Sequence, residues 1–202
     1  MYFLLDIMIF IYNVHYININ TINNILIIML IESNNLNLNE NLYEVARLDE
    51  KQLNNINFDS EDDDLNDFLF NESLDYCKEN LAIVYLVYQE EDVLGYFSLS
   101  ADSVKINEKL DIKLKYYPSL KIGRLAVDKK FKGNGIGSWI IDWVIGYVLK
   151  NRSGHGIRFV SVDAYNKINV IKFYESKKFT IYNKKKKKNQ LNIPMYLDIN
   201  ED

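Results

Sequence analysis

Seven consecutive residues, Lys132-Gly133-Asn134-Gly135-Ile136-Gly137-Ser138, constrain the fold more than any other part of this chain. They follow a strand-like run, Lys121-Ile122-Gly123-Arg124-Leu125-Ala126-Val127, and open an apolar segment from Trp139 to about Leu149 that reads as a helix. Glycine permits backbone angles and close approaches that a Cβ forbids. The first amides of a helix have no partner within it, and the helix dipole adds partial positive charge there. Such a turn can cradle an anion, and a phosphate or pyrophosphate suits it. Lys132 adds a full charge at its rim. The competing explanation is a turn that only packs a helix on a strand.

Spacing removes two owners of a glycine-rich turn. A dinucleotide-binding fingerprint needs a third glycine where Ser138 stands, in the first strand–helix–strand unit. A Walker A loop needs Gly-Lys-Ser/Thr after its second glycine, and the chain lacks it.

The residues around the turn bring in a family. Ile122 to Ser138 resembles the acetyl-CoA-binding motif of GNAT N-acetyltransferases, Arg/Gln-x-x-Gly-x-Gly/Ala, with Lys132, Gly135 and Gly137 on its defining positions. Lysine replaces the usual arginine or glutamine. Downstream, Val162-Asp163-Ala164-Tyr165-Asn166, Phe173-Tyr174-Glu175 and Phe179 resemble the family's next strand, its next helix and its Phe-Tyr-x-x-x-Gly-Phe segment. The likeness runs from about Leu42 to Ile199. It implies a mixed α/β fold: a seven-stranded sheet splayed between strands 4 and 5, with flanking helices and acetyl-CoA in the wedge.

The resemblance also implies roles. Amides of Gly133, Asn134, Gly135, Ile136, Gly137 and Ser138 would hold the CoA pyrophosphate, with Lys132 beside them. Backbone groups of Leu125, Ala126 and Val127 would pair with the pantetheine arm as an added strand and polarise the thioester carbonyl. Tyr174 matches the tyrosine that protonates the leaving thiolate, a task suited to a phenol with a pKa near about 10. The family's cofactor-contacting asparagine falls on Lys167, so its neighbour Asn166 is the expected substitute. Lys178 replaces the glycine of Gly-Phe. No general base is apparent, since Glu175 would face solvent.

The acceptor is a primary amine whose identity the chain does not disclose. Phe58-Asp59, Asp64-Leu65-Asn66-Asp67-Phe68-Leu69, Gly95-Tyr96-Phe97-Ser98-Leu99-Ser100-Ala101 and Ile122-Gly123-Arg124-Leu125-Ala126-Val127, in that order, resemble GNAT toxins that acetylate aminoacyl-tRNA. That likeness implies a tRNA partner, for which the basic loop Lys184–Lys188 is the candidate contact, and a toxin–antitoxin setting. A solvated loop is the plain explanation of such a run. A homodimer is the expected assembly. An alternative outside enzymology is a silent acyl-CoA-binding regulatory domain.

Composition sets outer limits. The 202 residues suffice for one sizeable core, and the net charge of −4 gives no general affinity for nucleic acid. Cys77 stands alone, which excludes an internal disulfide and points to a reducing, cytoplasmic setting. With only His15 and His155 beside it, no His/Cys metal cluster can form and no metal is expected. Residues 1–40 differ from the rest. Met1–Tyr12 and Ile25–Ile31 are apolar but fall short of the roughly 20 residues a membrane span needs. This segment is expected to be a poorly ordered extension, with Met29 a plausible start, and 41–202 to be the acetyltransferase domain.

Periodicity gives the remaining elements. Strands are expected at Leu42–Leu48, Ala82–Tyr88, Val93–Ser100, Ile157–Ala164, Phe179–Tyr182 and Leu191–Ile199, with a helix at Ile168–Lys177. Leu65, Phe68, Leu69, Leu74 and Tyr76 mark the apolar face of an earlier helix. The acidic run Phe58–Asp64 is expected to cap it. Ala101–Ser119 reads as a looser stretch, and Trp139 and Trp143 as core packing.

Overall fold

A long β-hairpin and the helix after the glycine turn organise the rest of the chain. The computed structural model describes residues 43–106, 110, 112–151, 153–182 and 190–200. Seven strands form one sheet in the order β1-β2-β3-β4-β5-β7-β6. β1 (Glu44–Arg47) leads to a helical turn, α1 (Glu50–Leu53). A segment in three parts follows: α2 (Asp63–Asp67), a π turn (Phe68–Glu72) and α3 (Ser73–Lys78). β2 (Ile83–Gln89), β3 (Asp92–Val104) and β4 (Tyr117–Val127) are successive antiparallel neighbours. A 3-10 turn (Lys129–Phe131) then leads to α4 (Ile136–Lys150), β5 (Phe159–Tyr165) and α5 (Ile168–Ser176). The last strands are β6 (Thr180–Ile181) and β7 (Asn192–Asp198).

Each face of the sheet has its own cover. Ile136, Ile140, Ile141, Val144 and Val148 of α4 are buried against Phe97 and Leu99 of β3 and Val160, Val162 and Ala164 of β5. Helical spacing meets strand alternation in that layer. Burying each such large side chain contributes about 1.5–3 kcal/mol. The opposite face packs Phe68 and Leu69 of the π turn on Val84, Leu86, Tyr96 and Ala126. Trp139 and Trp143 are half-buried at the edge of the first layer; Trp143 stacks on Tyr147 with ring centroids 5.5 Å apart.

The looser stretch is shorter than the sequence indicates. Ala101–Val104 pairs with Tyr117–Leu120 and extends the hairpin. Capping is also only part of the account of the acidic run. Asp62 caps α2, accepting from the Leu65 amide at 3.3 Å, and Asp63 and Asp64 lie in its first turn. Asp59 and Glu61 are engaged elsewhere, as shown below. The expected extension 1–40 and the loop Lys184–Lys188 lie outside the described residues.

Lys178 shows what the missing glycine was for. Its φ is +64°, in the left-handed region that favours glycine, and it ends α5 with its amide donating to Glu175 and that of Phe179 to Tyr174. A Cβ in that conformation costs on the order of 1–2 kcal/mol, partly offset by glycine's greater unfolded entropy. Lys178→Gly is therefore expected to stabilise the fold by about 0.5–1 kcal/mol, read as a raised midpoint in urea unfolding.

Candidate active site

The sheet opens where β4 carries an extra residue. β4 and β5 run parallel and pair only over Ser119–Ile122 and Phe159–Val162. In the β3–β4 ladder Leu99 faces Ile122 and Ser98 faces Arg124, so Gly123 is a bulge. A bulge bends its strand and raises the local twist. Here β4 leaves β5 at that point, and Gly123 to Val127 keep a strand neighbour on the β3 side only. Leu125, Ala126 and Val127, expected to meet the pantetheine arm, occupy this open stretch. Their side chains alternate: Ala126 is buried on the α2 side, while Leu125 and Val127 pack toward α4.

The glycine turn sits beside the opening. Gly133 and Gly135 have φ of +86° and +81°, and α4 starts at Ile136 without a side-chain cap. Its first internal hydrogen bond runs from the Trp139 amide to Gly135 at 2.9 Å. The amides of Gly135, Ile136, Gly137 and Ser138 donate to no group among the described residues. These residues, with Val127, Lys132 and Gly133, line a cavity of about 270 Å³ that Phe131 and Phe173 complete. No carboxylate lines it. Asn134 stays out of the lining; its amide donates to Phe131. A Cβ on Gly137 would stand 3.4 Å from the Phe173 ring, so the helix start and α5 approach closely there.

Lys132 is not a free charge at the rim. Its Nζ donates to the Ser60 carbonyl at 2.6 Å and to Glu61 at 2.9 Å. Glu61 itself sits at φ +59°. The same loop is fastened further back. Lys129 pairs with Asp59 at 2.8 Å, which raises the lysine and holds the Asp59 carboxyl well below the usual carboxylate range. Buried Asp128 accepts from the amides of Asp59 and Lys130, both at 2.9 Å. The run 59–61 is thus laced to the turn, a contact between segments about 70 residues apart that no local pattern could display.

Tyr174 is buried on α5, edge-on to Phe173 and Phe179 with centroids 5.0 and 5.4 Å away. Its hydroxyl has no hydrogen-bond partner among the described residues, and burial pushes the phenol up to about 12. The neutral acid therefore persists through neutral and mildly alkaline pH. Between about pH 10 and 12 the folded chain keeps a proton that the unfolded chain releases, so this group's contribution to stability falls as pH rises through that window. The difference in 295 nm absorbance between wild type and Tyr174→Phe is expected to titrate near about 12, not near about 10.

Asn166 is committed to another task. Its Nδ2 donates to the Gln190 carbonyl at 2.9 Å and its amide to Leu191 at 2.8 Å, holding the strand end to the segment before β7. Neither Asn166 nor Tyr174 lines the cavity of the turn. Three residues that the sequence places in separate motifs, with no sign that they meet, come together at the opening. Asp64 Oδ2 accepts from the Tyr165 hydroxyl at 3.0 Å and lies 3.8 Å from Arg124 Nε. Burial and the Asp64 carboxylate push the Tyr165 phenol up to about 12.

A sheet opened by a bulge, beside a helix start with unpaired amides, is the arrangement of a CoA-dependent acyltransferase. The family model for the acetyltransferase (GNAT) family matches residues 42–179, and the chain belongs to that family. Solved structures share the fold. AtaT complexed with acetyl-methionyl-tRNAfMet superposes with a TM-score of 0.64 at 21% identity, over 78% of this chain and 95% of that one. A tyrosine-to-phenylalanine mutant of KacT gives 0.66 at 20%, with 78% and 95% covered. AtaTR bound with AcCoA gives 0.62 at 22%, with 78% and 94% covered. The protein is an acetyltransferase, and its family draws the acetyl group from acetyl-CoA. No described helix is long and apolar enough to cross a membrane.

Proposed function

We propose that this enzyme transfers acetyl from acetyl-CoA to a primary amine by direct attack within a ternary complex, and that the amine belongs to an aminoacyl-tRNA. The observation that carries the donor half is the set of unpaired amides at Gly135–Ser138 around a cavity free of carboxylates. Those amides, with the backbone of Leu125–Val127, hold the donor; acetyl-CoA supplies the thioester carbonyl and the departing thiolate. Tyr174 keeps its proton at the pH of the reaction and delivers it where thiolate charge develops. The acceptor half rests on the structural neighbours, one of which carries acetyl-methionyl-tRNAfMet. Others are toxins bound to the antitoxin AtaR, so a cognate antitoxin is the partner proposed with it. A small-molecule or protein amine is the second reading, favoured by the net charge of −4.

Labelled acetyl-CoA incubated with charged tRNAs, amino-acid amides, polyamines and lysine-rich peptides separates the two. Label in the aminoacyl group of tRNA supports the first reading, and label confined to the other amines supports the second. Transfer to none of them, at wild-type or Tyr174→Phe background, leaves a binding module instead.

A further inference from the structure

We infer that Asp64 and Arg124 form the acceptor-binding pair of this enzyme, with Asp64 accepting hydrogen bonds from the reacting amine and Arg124 Nε donating to an oxygen of the acceptor beside it. The inference rests on the acetyltransferase reading above and supplies its missing half. Three observations point the same way.

The first is position. Along β4, Leu125 and Val127 face α4 and the glycine turn, whereas Arg124 and Ala126 face the α2 side. The two sides of the open strand thus present different chemistry: backbone amides and a cavity on one, and on the other a carboxylate, a guanidinium and the Tyr165 phenol drawn from three separate elements. A donor and an acceptor that must meet at one strand need two such approaches.

The second is an unmet donor. Arg124 Nε is shielded from solvent and makes no hydrogen bond, its nearest carboxylate oxygen standing at 3.8 Å. Buried polar groups are ordinarily paired, so this orphaned N–H would gain its partner from an acceptor oxygen that enters as Asp64 turns from Tyr165 toward the amine. The guanidinium is held there by the Phe68 ring, 5.0 Å from its centroid, and by its own Nη1 donating to the Gly123 carbonyl at 3.3 Å.

The third is the support behind Asp64. The buried Tyr96 hydroxyl donates to the Leu65 carbonyl at 2.7 Å and fixes α2 against the sheet. Asp64 is thereby held at the opening although its side chain is 64% exposed. An exposed carboxylate so placed, joined to Arg124 without a hydrogen bond, adds little to the fold. It is free to exchange the Tyr165 hydroxyl for an amine.

The test compares steady-state kinetics of wild type, Asp64→Asn, Asp64→Glu and Arg124→Lys, using methionyl-tRNA and methionine amide from the panel above as acceptors. KM for the acceptor is expected to rise about tenfold or more in Asp64→Asn and in Arg124→Lys, as loss of a charge-assisted hydrogen bond predicts. KM for acetyl-CoA and the unfolding midpoint should stay at their wild-type values, and Asp64→Glu should recover most of the acceptor affinity. Acceptor KM unchanged in both Asp64→Asn and Arg124→Lys, against an active wild type, overturns the proposal alone. A wild type that acetylates none of the panel removes the acetyltransfer reading itself.

Discussion

Tyr174→Phe is expected to lower kcat by about 100- to 1,000-fold, the usual worth of a positioned general acid, while the dissociation constant for CoA stays within about twofold. The expectation follows from how the ring is held. Phe173 and Phe179 grip it edge-on, contacts that a phenylalanine keeps in full. The hydroxyl has no partner among the described residues, so its removal leaves no orphaned group behind. Replacing such an unpaired hydroxyl costs about 0–1 kcal/mol in stability, and the sign can favour the variant. Activity and stability should therefore part company, which a thiol-release assay beside thermal unfolding would show. A variant with kcat within about threefold of wild type would remove Tyr174 from the proton's path.

The second large effect belongs to Gly137→Val. Position 137 lies one residue into α4 and lines the cavity, so a branched side chain there intrudes on the space an anion must occupy. Its Cβ would begin 3.4 Å from the Phe173 ring, and the two methyl groups reach further. Loss of two hydrogen bonds to a charged ligand, at about 1.5 kcal/mol or more each, corresponds to a CoA dissociation constant raised roughly 100-fold. Valine is tolerated in a first helical turn, so the circular dichroism spectrum should be preserved. Calorimetric titration with CoA reads the result, and an unchanged affinity would place the pyrophosphate away from this turn.

How far the sequence foretold this molecule depended on how local each cause was. The glycine turn, α4 and the seven strands were legible because their signals lie within a dozen residues. Phe173-Tyr174 could be read from its motif, and the left-handed Lys178 is visible as a departure from that motif. Asp64, Arg124 and Tyr165 were not legible as a group. They are joined by an opening that depends on a bulge at Gly123, and alternation alone does not reveal a bulge. The pairing of Lys132 with Glu61 was hidden for a related reason. A positive residue beside three glycines reads as a ligand contact, and only the folded chain brings residues 59–61 to it. Asn166 carried a plausible identity, yet its side chain is used to hold the segment before β7.

The short pairing between β4 and β5 has a consequence for solubility. A strand with unpaired amides and carbonyls invites another strand, and sheets commonly protect their margins by keeping the outer strands short. Among the described residues the margins here are β1, four residues long, and β6, two residues long. Among the described residues, Gly123–Val127 has no strand partner on its β5 side and lies in the middle of the sheet between two layers of cover. The fold thus sets its unpaired inner stretch of backbone between two packed layers and keeps its outer strands short, an arrangement that guards against edge-to-edge association.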